Sequence, residues 1–253
     1  MAAVLRVYRS GDGAAHRYDE FDVDTGPETT VLDALVDIQR TADSTLAFRY
    51  ACRVGMCGSC AMVVNGRERW ACRTRLASLG AKVVTVRPLY HFPLIRDLVV
   101  DMTPFRRRMA TVGAAMAPRE AVTRGFEAGG PDRAAIPEPG TPFYAIVGRE
   151  SRERYQIDEA IECIGCGMCV SACTMVAHNE RFPGPAALNR AFTLQRDHRD
   201  ADTDARWSVL LSDDALTRCH GQGNCTEVCP MEIAPTTSIL RLRRMATRRL
   251  LRS

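Results

Sequence analysis

Lysine, aromatic side chains and long apolar runs are scarce in this sequence of 253 residues. Lys82 is the only lysine beside 33 arginines, and aromatic residues make up 6% of the chain. No apolar run approaches the roughly 18 residues that span a bilayer. The start also lacks the basic, apolar and small-residue succession of a secretory signal. We therefore expect a soluble fold that reaches a membrane only through other subunits.

The charge balance argues against one class of function. The formal net charge is only +4, and the basic residues show neither aromatic interleaving nor a nucleic-acid-binding motif. We expect no nucleic-acid partner, and we attribute the arginine bias to genome composition. Six arginines lie among leucines and an isoleucine from residue 239 onward. That pattern favours a solvated or subunit-facing helix over contact with anionic lipid headgroups.

Cysteine, in contrast, is abundant, with eleven residues in a chain that shows no export signal. Reducing compartments keep thiols unpaired, and an odd number cannot pair completely, so metal ligation or redox chemistry is favoured over a disulfide scaffold. About ninety residues without cysteine separate an early group from a late group. The early group is Cys52, Cys57, Cys60 and Cys72, and the late group is Cys163, Cys166, Cys169, Cys173, Cys219, Cys225 and Cys229.

The first hundred residues show the pattern of short strands around one helix. Alternating apolar positions predict strands over Val4 to Tyr8, Phe21 to Asp24 and Lys82 to Arg87. Thr29 or Thr30 can cap a helix that follows. Asn65-Gly66 between two apolar segments is a strong two-residue hairpin signal. This order predicts a β-grasp sheet.

The second half is predicted to be helical and to follow a linker. Gly129-Gly130-Pro131 and Pro137 to Gly140 break the pattern after a helix that begins near Phe105. Pro185 is placed to start one later helix and Pro235 to start the last. We predict an α+β protein with a β-grasp, plant-type ferredoxin-like domain over residues 1–104. A helix and linker would cover residues 105–150, and an all-α, bacterial ferredoxin-like domain residues 151–253.

The early cysteines have the spacing of a plant-type [2Fe-2S] centre. Cys52-x4-Cys57-x2-Cys60 is followed after eleven residues by Cys72. Three thiolates on a tight loop would hold one side of the cluster, and the fourth would arrive across the hairpin. Gly55 and Gly58 permit the sharp turn. Structural zinc is the alternative, but zinc prefers paired Cys-x2-Cys hooks.

The late cysteines form two runs on the bacterial ferredoxin template. Cys163-x2-Cys166-x2-Cys169-x3-Cys173 is the complete run, in which the fourth cysteine binds the other cluster. The second run is Cys219-x5-Cys225-x3-Cys229-Pro230, and Gln222 stands where the template has a cysteine. We therefore expect a [4Fe-4S] cluster on Cys163, Cys166, Cys169 and Cys229.

The three remaining cysteines predict a third cluster. Cys173, Cys219 and Cys225 with an amide at the fourth corner favour [3Fe-4S], because glutamine is a poor iron ligand beside thiolate. The alternative is a second [4Fe-4S] cluster with water or Gln222 on its fourth iron. Either way all eleven cysteines are used.

These two cysteine runs, preceded by the plant-type ligands, resemble the iron-sulfur subunit of succinate dehydrogenase and fumarate reductase. Three segments outside the clusters are also similar to that family, namely residues 88–101, Gly184-Pro-Ala-Ala-Leu and Arg199-Asp-Ala-Asp202. The resemblance covers nearly the whole chain except for residues 106–145.

The resemblance implies an electron-transfer subunit without catalytic residues for succinate. Its implied partners are an FAD-containing flavoprotein subunit, membrane anchor subunits with or without haem b, and a quinone. The three clusters would connect the flavoprotein to the quinone. The chain would then be a peripheral membrane protein on the cytoplasmic side of a bacterial inner membrane.

Three residues are implied to lie near the quinone. His220, directly after Cys219, matches a family histidine between the third cluster and the quinone. Thr174 replaces the usual proline after Cys173, and His178 stands near a position where succinate:ubiquinone members often have tryptophan. These departures leave menaquinone and ubiquinone equally compatible with the sequence.

Two other functions fit parts of the pattern. An iron-sulfur subunit of another flavoprotein, such as a thiol-linked fumarate reductase or a glycolate-oxidase-like complex, would retain the clusters. Tandem [4Fe-4S] sites and further cysteine-rich motifs would favour it, but Gln222 argues against it. A zinc-stabilised interaction module would need four-cysteine sites without redox activity, and the ferredoxin spacings disfavour it.

Overall fold

The computed structural model describes residues 2–11, 16–117, 152–197 and 199–252. Its first half contains a five-stranded sheet with the order β2-β1-β5-β3-β4. The strands are β1 (Ala2–Arg9), β2 (Arg17–Asp24), β3 (Ala61–Val64), β4 (Arg67–Trp70) and β5 (Val83–Arg87). Strands β1 and β5 are parallel, and the other neighbours are antiparallel. This mixed sheet is the predicted β-grasp arrangement.

Helix α1 (Val31–Thr41) packs on the sheet through its apolar side. Leu32, Leu35 and Ile38 recur at helical spacing and are buried in the same core as Leu5 of β1. Thr30 caps the helix as predicted: its hydroxyl accepts from the Asp33 N–H at 3.1 Å, and the Asp33 carboxylate accepts from the Thr30 N–H at 3.0 Å. Local sequence signals therefore fix where α1 begins and which side it buries.

The Asn65-Gly66 turn joins β3 to β4 directly, with Val64 paired to Arg67. Both turn residues have positive φ, 49° and 77°, as a two-residue hairpin of this type requires. A second small hairpin, β6 (Leu94–Arg96) with β7 (Val99–Val100), follows the main sheet. Short three-ten helices cover Ala71–Arg73, Ala77–Leu79 and Leu216–Arg218.

The rest of the described chain is helical. The helices are α2 (Thr103–Thr111), α3 (Arg152–Ile161), α4 (Met168–Ser171), α5 (Thr174–His178), α6 (Gly184–Arg196), α7 (Thr203–Leu210), α8 (Asn224–Glu227) and α9 (Pro235–Leu250). Ten of the thirteen residues of α6 are buried, and α2, α3, α4, α7 and α9 all pack against it. Helix α6 is therefore the centre of the helical half.

Proline marks the start of two helices as predicted. Pro185 lies in the first turn of α6, and α9 begins at Pro235. Helix α2 begins two residues before the predicted Phe105. Most of the predicted linker, residues 118–150, lies outside the described residues.

The two halves share a small apolar core and a buried polar contact. Ala61, Val63, Leu89 and Val100 pack together with Met168 of α4. Nearby, the Ser171 hydroxyl donates to the buried carboxylate of Glu68 on β4 at 2.7 Å, and it accepts from the Tyr90 N–H at 2.8 Å. These hydrogen bonds fix the position of the helical half on the sheet, because a buried polar group without a hydrogen-bond partner is destabilising.

A buried ion pair holds the segment between α6 and α7. The guanidinium of Arg206 is 3.1 Å from the Asp200 carboxylate, and the two side chains are 1% and 0% exposed. The same guanidinium donates to the carbonyls of Val112 and Gly113 after α2. Arg199-Asp-Ala-Asp202 thus has a structural role, since Asp200 compensates a buried cation that joins α2 to α7.

We predict that Asp200→Ala lowers the free energy of unfolding by about 3–5 kcal/mol, because it leaves the Arg206 charge buried without its partner. Asp204→Ala is the matched control. Asp204 is also 2.9 Å from an arginine, Arg249, but its side chain is 81% exposed, so its removal costs less than about 1 kcal/mol. Urea unfolding followed by circular dichroism measures both, and equal losses in the two variants would contradict the prediction.

Candidate metal centres

The β3–β4 hairpin brings the early cysteines together. Cys52 and Cys57 lie in the loop between α1 and β3, and Cys60 immediately precedes β3. Cys72 lies in the three-ten helix directly after β4. Ala61 pairs with Trp70 across the hairpin, and the Ala71 N–H donates to the Cys60 carbonyl at 3.1 Å. Sequence positions twelve apart thereby become neighbours.

Hydrogen bonds and burial act in opposite directions on these thiols. The N–H groups of Met56 and Cys57 donate to the Cys52 sulfur at 3.3 and 3.4 Å. The Ser59 hydroxyl and backbone N–H groups lower the pKa of Cys57 to about 6. Burial, together with the neighbouring Cys72, raises the pKa of Cys60 to about 12. The loop therefore favours thiolate at its edge, while the buried thiols need a positive charge to ionise.

Gly58 places this loop against the helical half. Its φ is +70°, and a Cβ added to it would lie only 2.6 Å from the Cβ of Cys166. The backbone of the loop that carries Cys52 and Cys57 therefore contacts Cys166, which lies between α3 and α4. No space for a side chain remains between them. The sequence predicts the turn at Gly58, but it gives no sign of this contact.

Four late cysteines line one cavity. Cys163, Cys166 and Cys169 come from the turn between α3 and α4, and Cys229 comes from the end of the second run. Ala186 and Asn189 of α6 form one wall, and Pro230 and Ile233 another. About 400 Å³ of empty space lies between these residues, including the cavity mouth.

The other three late cysteines line a second cavity of similar size. Cys173, Cys219 and Cys225 line it together with His220 and Gln222, and its empty space, including the open mouth, is about 370 Å³. Pro185, at the start of α6, closes one side. The last cysteine of each run thus lies with the first cysteines of the other run. All three groups of cysteines predicted from the sequence are brought together.

Burial raises the pKa of most of these thiols. It raises the pKa of Cys166 to about 12, and the pKa values of Cys169, Cys173, Cys225 and Cys229 are raised for the same reason. Backbone N–H groups partly offset the effect: those of Met175 and Val176 act on Cys173, and that of Met168 acts on Cys166. A metal cation in contact with the sulfurs would supply the positive charge that stabilises the buried thiolates.

The thiols surround space and do not converge on one point. In the part of the chain that the structure describes, no three His, Cys, Asp or Glu side chains are placed to hold one metal ion. A zinc ion needs four sulfurs within about 2.3 Å of a single centre. Cysteines at the walls of a cavity fit a cluster of several atoms better than one ion.

Thr174 and Gln222 meet at the mouth of the second cavity. The Thr174 hydroxyl donates to the Gln222 side-chain carbonyl at 2.5 Å, and both residues are exposed. His220 is exposed and lines the same cavity. His178 is exposed at the end of α5 and is not among the residues that line the cavity. Of the three predicted quinone-proximal residues, the structure brings two to this mouth.

Sequence reasoning missed the residues that support the second cavity. The Arg243 guanidinium of α9 donates to the carbonyls of Cys219 and Leu216, the latter at 2.6 Å. The Thr236 hydroxyl lies 3.3 Å from the Cys225 sulfur. Arg243 belongs to an arginine-rich segment with no local signal that separates it from its neighbours. Thr236 carries a weak signal, because it directly follows the helix-starting Pro235.

Two iron-sulfur domain families match this chain. Residues 2–107 match the 2Fe-2S iron-sulfur cluster binding domain, and residues 159–233 match the 4Fe-4S dicluster domain. The first match contains the sheet half with its four cysteines, and the second contains all seven late cysteines but ends before α9.

Full-length relatives and a solved structure agree with the domain matches. The chain is 32% identical over 239 residues to the fumarate reductase iron-sulfur subunit of Haemophilus influenzae, covering 93% of this chain and 88% of that one. It is 33% identical over 222 residues to the mitochondrial succinate dehydrogenase [ubiquinone] iron-sulfur subunit of Candida glabrata, covering 87% and 79%.

A chain of the Mycobacterium smegmatis Sdh1 complex in the apo form superposes with a TM-score of 0.80 and 29% identity, over 98% of this chain and 96% of that one. The match therefore covers both cysteine-bearing halves and is not limited to one ferredoxin module. The chain belongs to the family of iron-sulfur subunits of succinate dehydrogenase and fumarate reductase.

Proposed function

We propose that this chain is the electron-transfer subunit of a succinate:quinone oxidoreductase and that it holds three iron-sulfur clusters. The ligands are Cys52, Cys57, Cys60 and Cys72 for [2Fe-2S], Cys163, Cys166, Cys169 and Cys229 for [4Fe-4S], and Cys173, Cys219 and Cys225 for [3Fe-4S]. The clusters supply one-electron carriers between the flavin of one partner and the quinone at another.

The exchange of terminal cysteines between the two late runs carries this proposal. Cys229 lies with the first three cysteines of the other run, and Cys173 lies with Cys219 and Cys225. This crossing is the arrangement of the bacterial ferredoxin template, in which the last cysteine of a run binds the other cluster. Two clusters bound in this way would lie on either side of the first turns of α6, which suits electron transfer between them.

Gln222 supports the [3Fe-4S] assignment. Its side chain stands at the template position of the missing ligand and lines the second cavity with three thiols. The Gln222 carbonyl is engaged by the Thr174 hydroxyl, so its oxygen already has a partner. An amide oxygen in that situation competes poorly for a fourth iron.

The surface around the second cavity supports a quinone and anchor partner there. Thr174, His220 and Gln222 are exposed at its mouth, and His178 is exposed at the end of the neighbouring helix α5. An imidazole side chain can both donate and accept a proton, which suits a quinone reaction that consumes protons. His220 is the better candidate, since it lines the cavity itself.

The order of the sites along the chain supports an order in space. The [2Fe-2S] loop would be nearest the FAD-containing flavoprotein, and the second late cavity nearest the anchor, its haem b where present, and the quinone. No helix among the described residues is long and apolar enough to cross a membrane. We propose that anchor subunits hold the chain peripherally on the cytoplasmic side of a bacterial inner membrane.

Low-temperature electron paramagnetic resonance on the whole complex tests the proposal. We expect a near-isotropic [3Fe-4S] signal in the oxidised sample that disappears when succinate is added, while a [2Fe-2S] signal appears. An oxidised sample without signal that does not respond to succinate would reject the third cluster or the succinate flavoprotein as partner.

Gln222→Cys tests the open corner of the third cluster. We expect the added thiol to complete a four-cysteine site, so the oxidised [3Fe-4S] signal is lost and the iron content rises by about one atom per complex. Gln222→Ala is the control, because it removes the amide and its bond to Thr174 without adding a ligand. Retention of the signal and iron content in Gln222→Cys would place the open corner elsewhere.

Gly58→Ala tests the contact between the first loop and Cys166. Alanine at this position would have to adopt a positive φ, and its Cβ would lie only 2.6 Å from the Cys166 Cβ. The two halves would therefore have to move apart. We expect slower reduction of the later clusters by succinate in rapid-freeze measurements, together with about 1–3 kcal/mol lost to overpacking.

Gly66→Ala is the matched control for that experiment. Gly66 has a φ of +77°, but nothing lies within 4 Å of an added Cβ. It therefore shares the backbone strain of Gly58→Ala without the steric contact. If both variants reduce their later clusters at the wild-type rate, the contact at Gly58 does not control transfer between the halves.

A further inference from the structure

An arginine-lined cleft lies at the end of the helical half that is remote from the cysteines. Helices α6 and α9 begin beside the cysteine cavities, with Pro185 and Thr236 among the lining residues there, and run away from them. The cleft forms where these helices end and α3 begins, and it holds about 940 Å³ of space including its open mouth. Its cations are Arg152, Arg196, Arg241, Arg244 and Arg248.

Three helices contribute these side chains. Arg241, Arg244 and Arg248 are spaced at i, i+3 and i+7, which puts them on one side of α9. Arg196 is the last residue of α6, and Arg152 is the first of α3. The arginines therefore converge through tertiary packing, and the sequence shows only the part of the cluster that lies on α9.

The five arginines have no carboxylate partner among the residues that the structure describes. Two acidic residues of the helical half are used elsewhere: Asp158 of α3 is 2.6 Å from Arg154, and Asp204 of α7 is 2.9 Å from Arg249. Arg241 donates to the Gln156 carbonyl at 3.0 Å and lies over the Phe192 ring, 5.8 Å from its centre. The Nε–H of Arg196 is buried without an acceptor in the described chain.

Helix dipoles account for only part of this cluster. Arg196 and Arg248 lie in the last turns of α6 and α9, where a cation is favourable. Arg152 lies at the start of α3, where a cation is unfavourable. Arg244 and Arg248 are like charges at i and i+4, which destabilises a helix. Among the described residues no carboxylate offsets this clustering of positive charge, and an anion in the cleft would do so.

We infer that the arginine cleft binds a phosphate-bearing anion, either the headgroup of an anionic phospholipid or a soluble phosphate compound. Guanidinium groups match phosphate oxygens with two parallel hydrogen bonds, and five of them can engage more than one phosphate or several oxygens of one. Phe192 and Met245 give the cleft an apolar floor beside the cations. That combination fits a ligand with a charged group and an apolar or aromatic portion.

A recessed site favours a small ligand over an acidic segment of a partner protein. The arginines surround a depression between three helix ends, so an entering phosphate can contact side chains from several directions at once. An acidic protein segment would engage mainly the exposed guanidinium groups at the mouth of the cleft. The segment is therefore the weaker candidate.

Calorimetric titration of the detergent-solubilised complex tests the inference with two probes. Inorganic pyrophosphate represents the soluble source, and dihexanoyl phosphatidylglycerol, compared with dihexanoyl phosphatidylcholine, represents the lipid source. The test variant combines Arg244→Gln with Arg248→Gln, which removes two exposed charges and leaves a polar side chain at both positions. Arg6→Gln with Arg40→Gln is the control, since it removes two exposed charges from the sheet half.

We expect at least one probe to bind, and the test variant to weaken that binding roughly tenfold or more, because each lost contact is a charge-assisted hydrogen bond. Binding of pyrophosphate alone identifies a soluble ligand, and selective binding of phosphatidylglycerol identifies a lipid. Three results would overturn the inference: neither probe binds, the control variant weakens binding equally, or the test variant releases a partner subunit from the purified complex. The last result would show that the cleft is a protein interface.

Discussion

The burial of thiol groups is the constraint on which the helical half depends, because a buried thiolate is stable only beside compensating positive charge. Very short helices that begin shortly after cysteines supply part of this charge through their first N–H groups. The first N–H groups of a helix have no partner within the helix. Those of α5 act on Cys173, and that of Met168 at the start of α4 acts on Cys166. In the proposed clusters, iron would supply the remaining positive charge.

The crossing of the two cysteine runs explains why α6 is so thoroughly buried. Pro185 lines one cavity, and Ala186 and Asn189 line the other, so the first turns of α6 form the wall between them. Small side chains there keep the wall thin. Asn189 fixes its position: its amide donates to the Ala160 carbonyl at 2.8 Å, and its oxygen accepts from the Ser238 hydroxyl at 2.8 Å. One buried amide thereby joins α3, α6 and α9 around the cluster sites.

Patterns within short stretches of the sequence predict much of this structure, but they do not predict contacts between distant segments. Alternation, the Thr30 cap and the Asn65-Gly66 turn predict the β-grasp half, because each acts within a few residues. Cysteine spacing predicts which thiols meet, since a ferredoxin template already contains the crossing. The bond between Ser171 and Glu68, and the contact of Gly58 with Cys166, depend on how the two halves dock. That orientation follows from the shared apolar core around Met168, for which no local pattern exists.

The arginine bias of the sequence has a structural use that composition alone does not reveal. A fold made of short helices leaves many carbonyl groups without helical partners. Arginine suits them because its planar group donates up to five hydrogen bonds from one side chain. Arg190 donates to the Ala114 carbonyl at 3.0 Å, and Arg206 and Arg243 each bind two carbonyls. Lysine, a compact charge with a flexible stem, would bridge such carbonyls poorly. The arginines at the far ends of α6 and α9 differ from these, because most of them bind no backbone in the described chain and face open space.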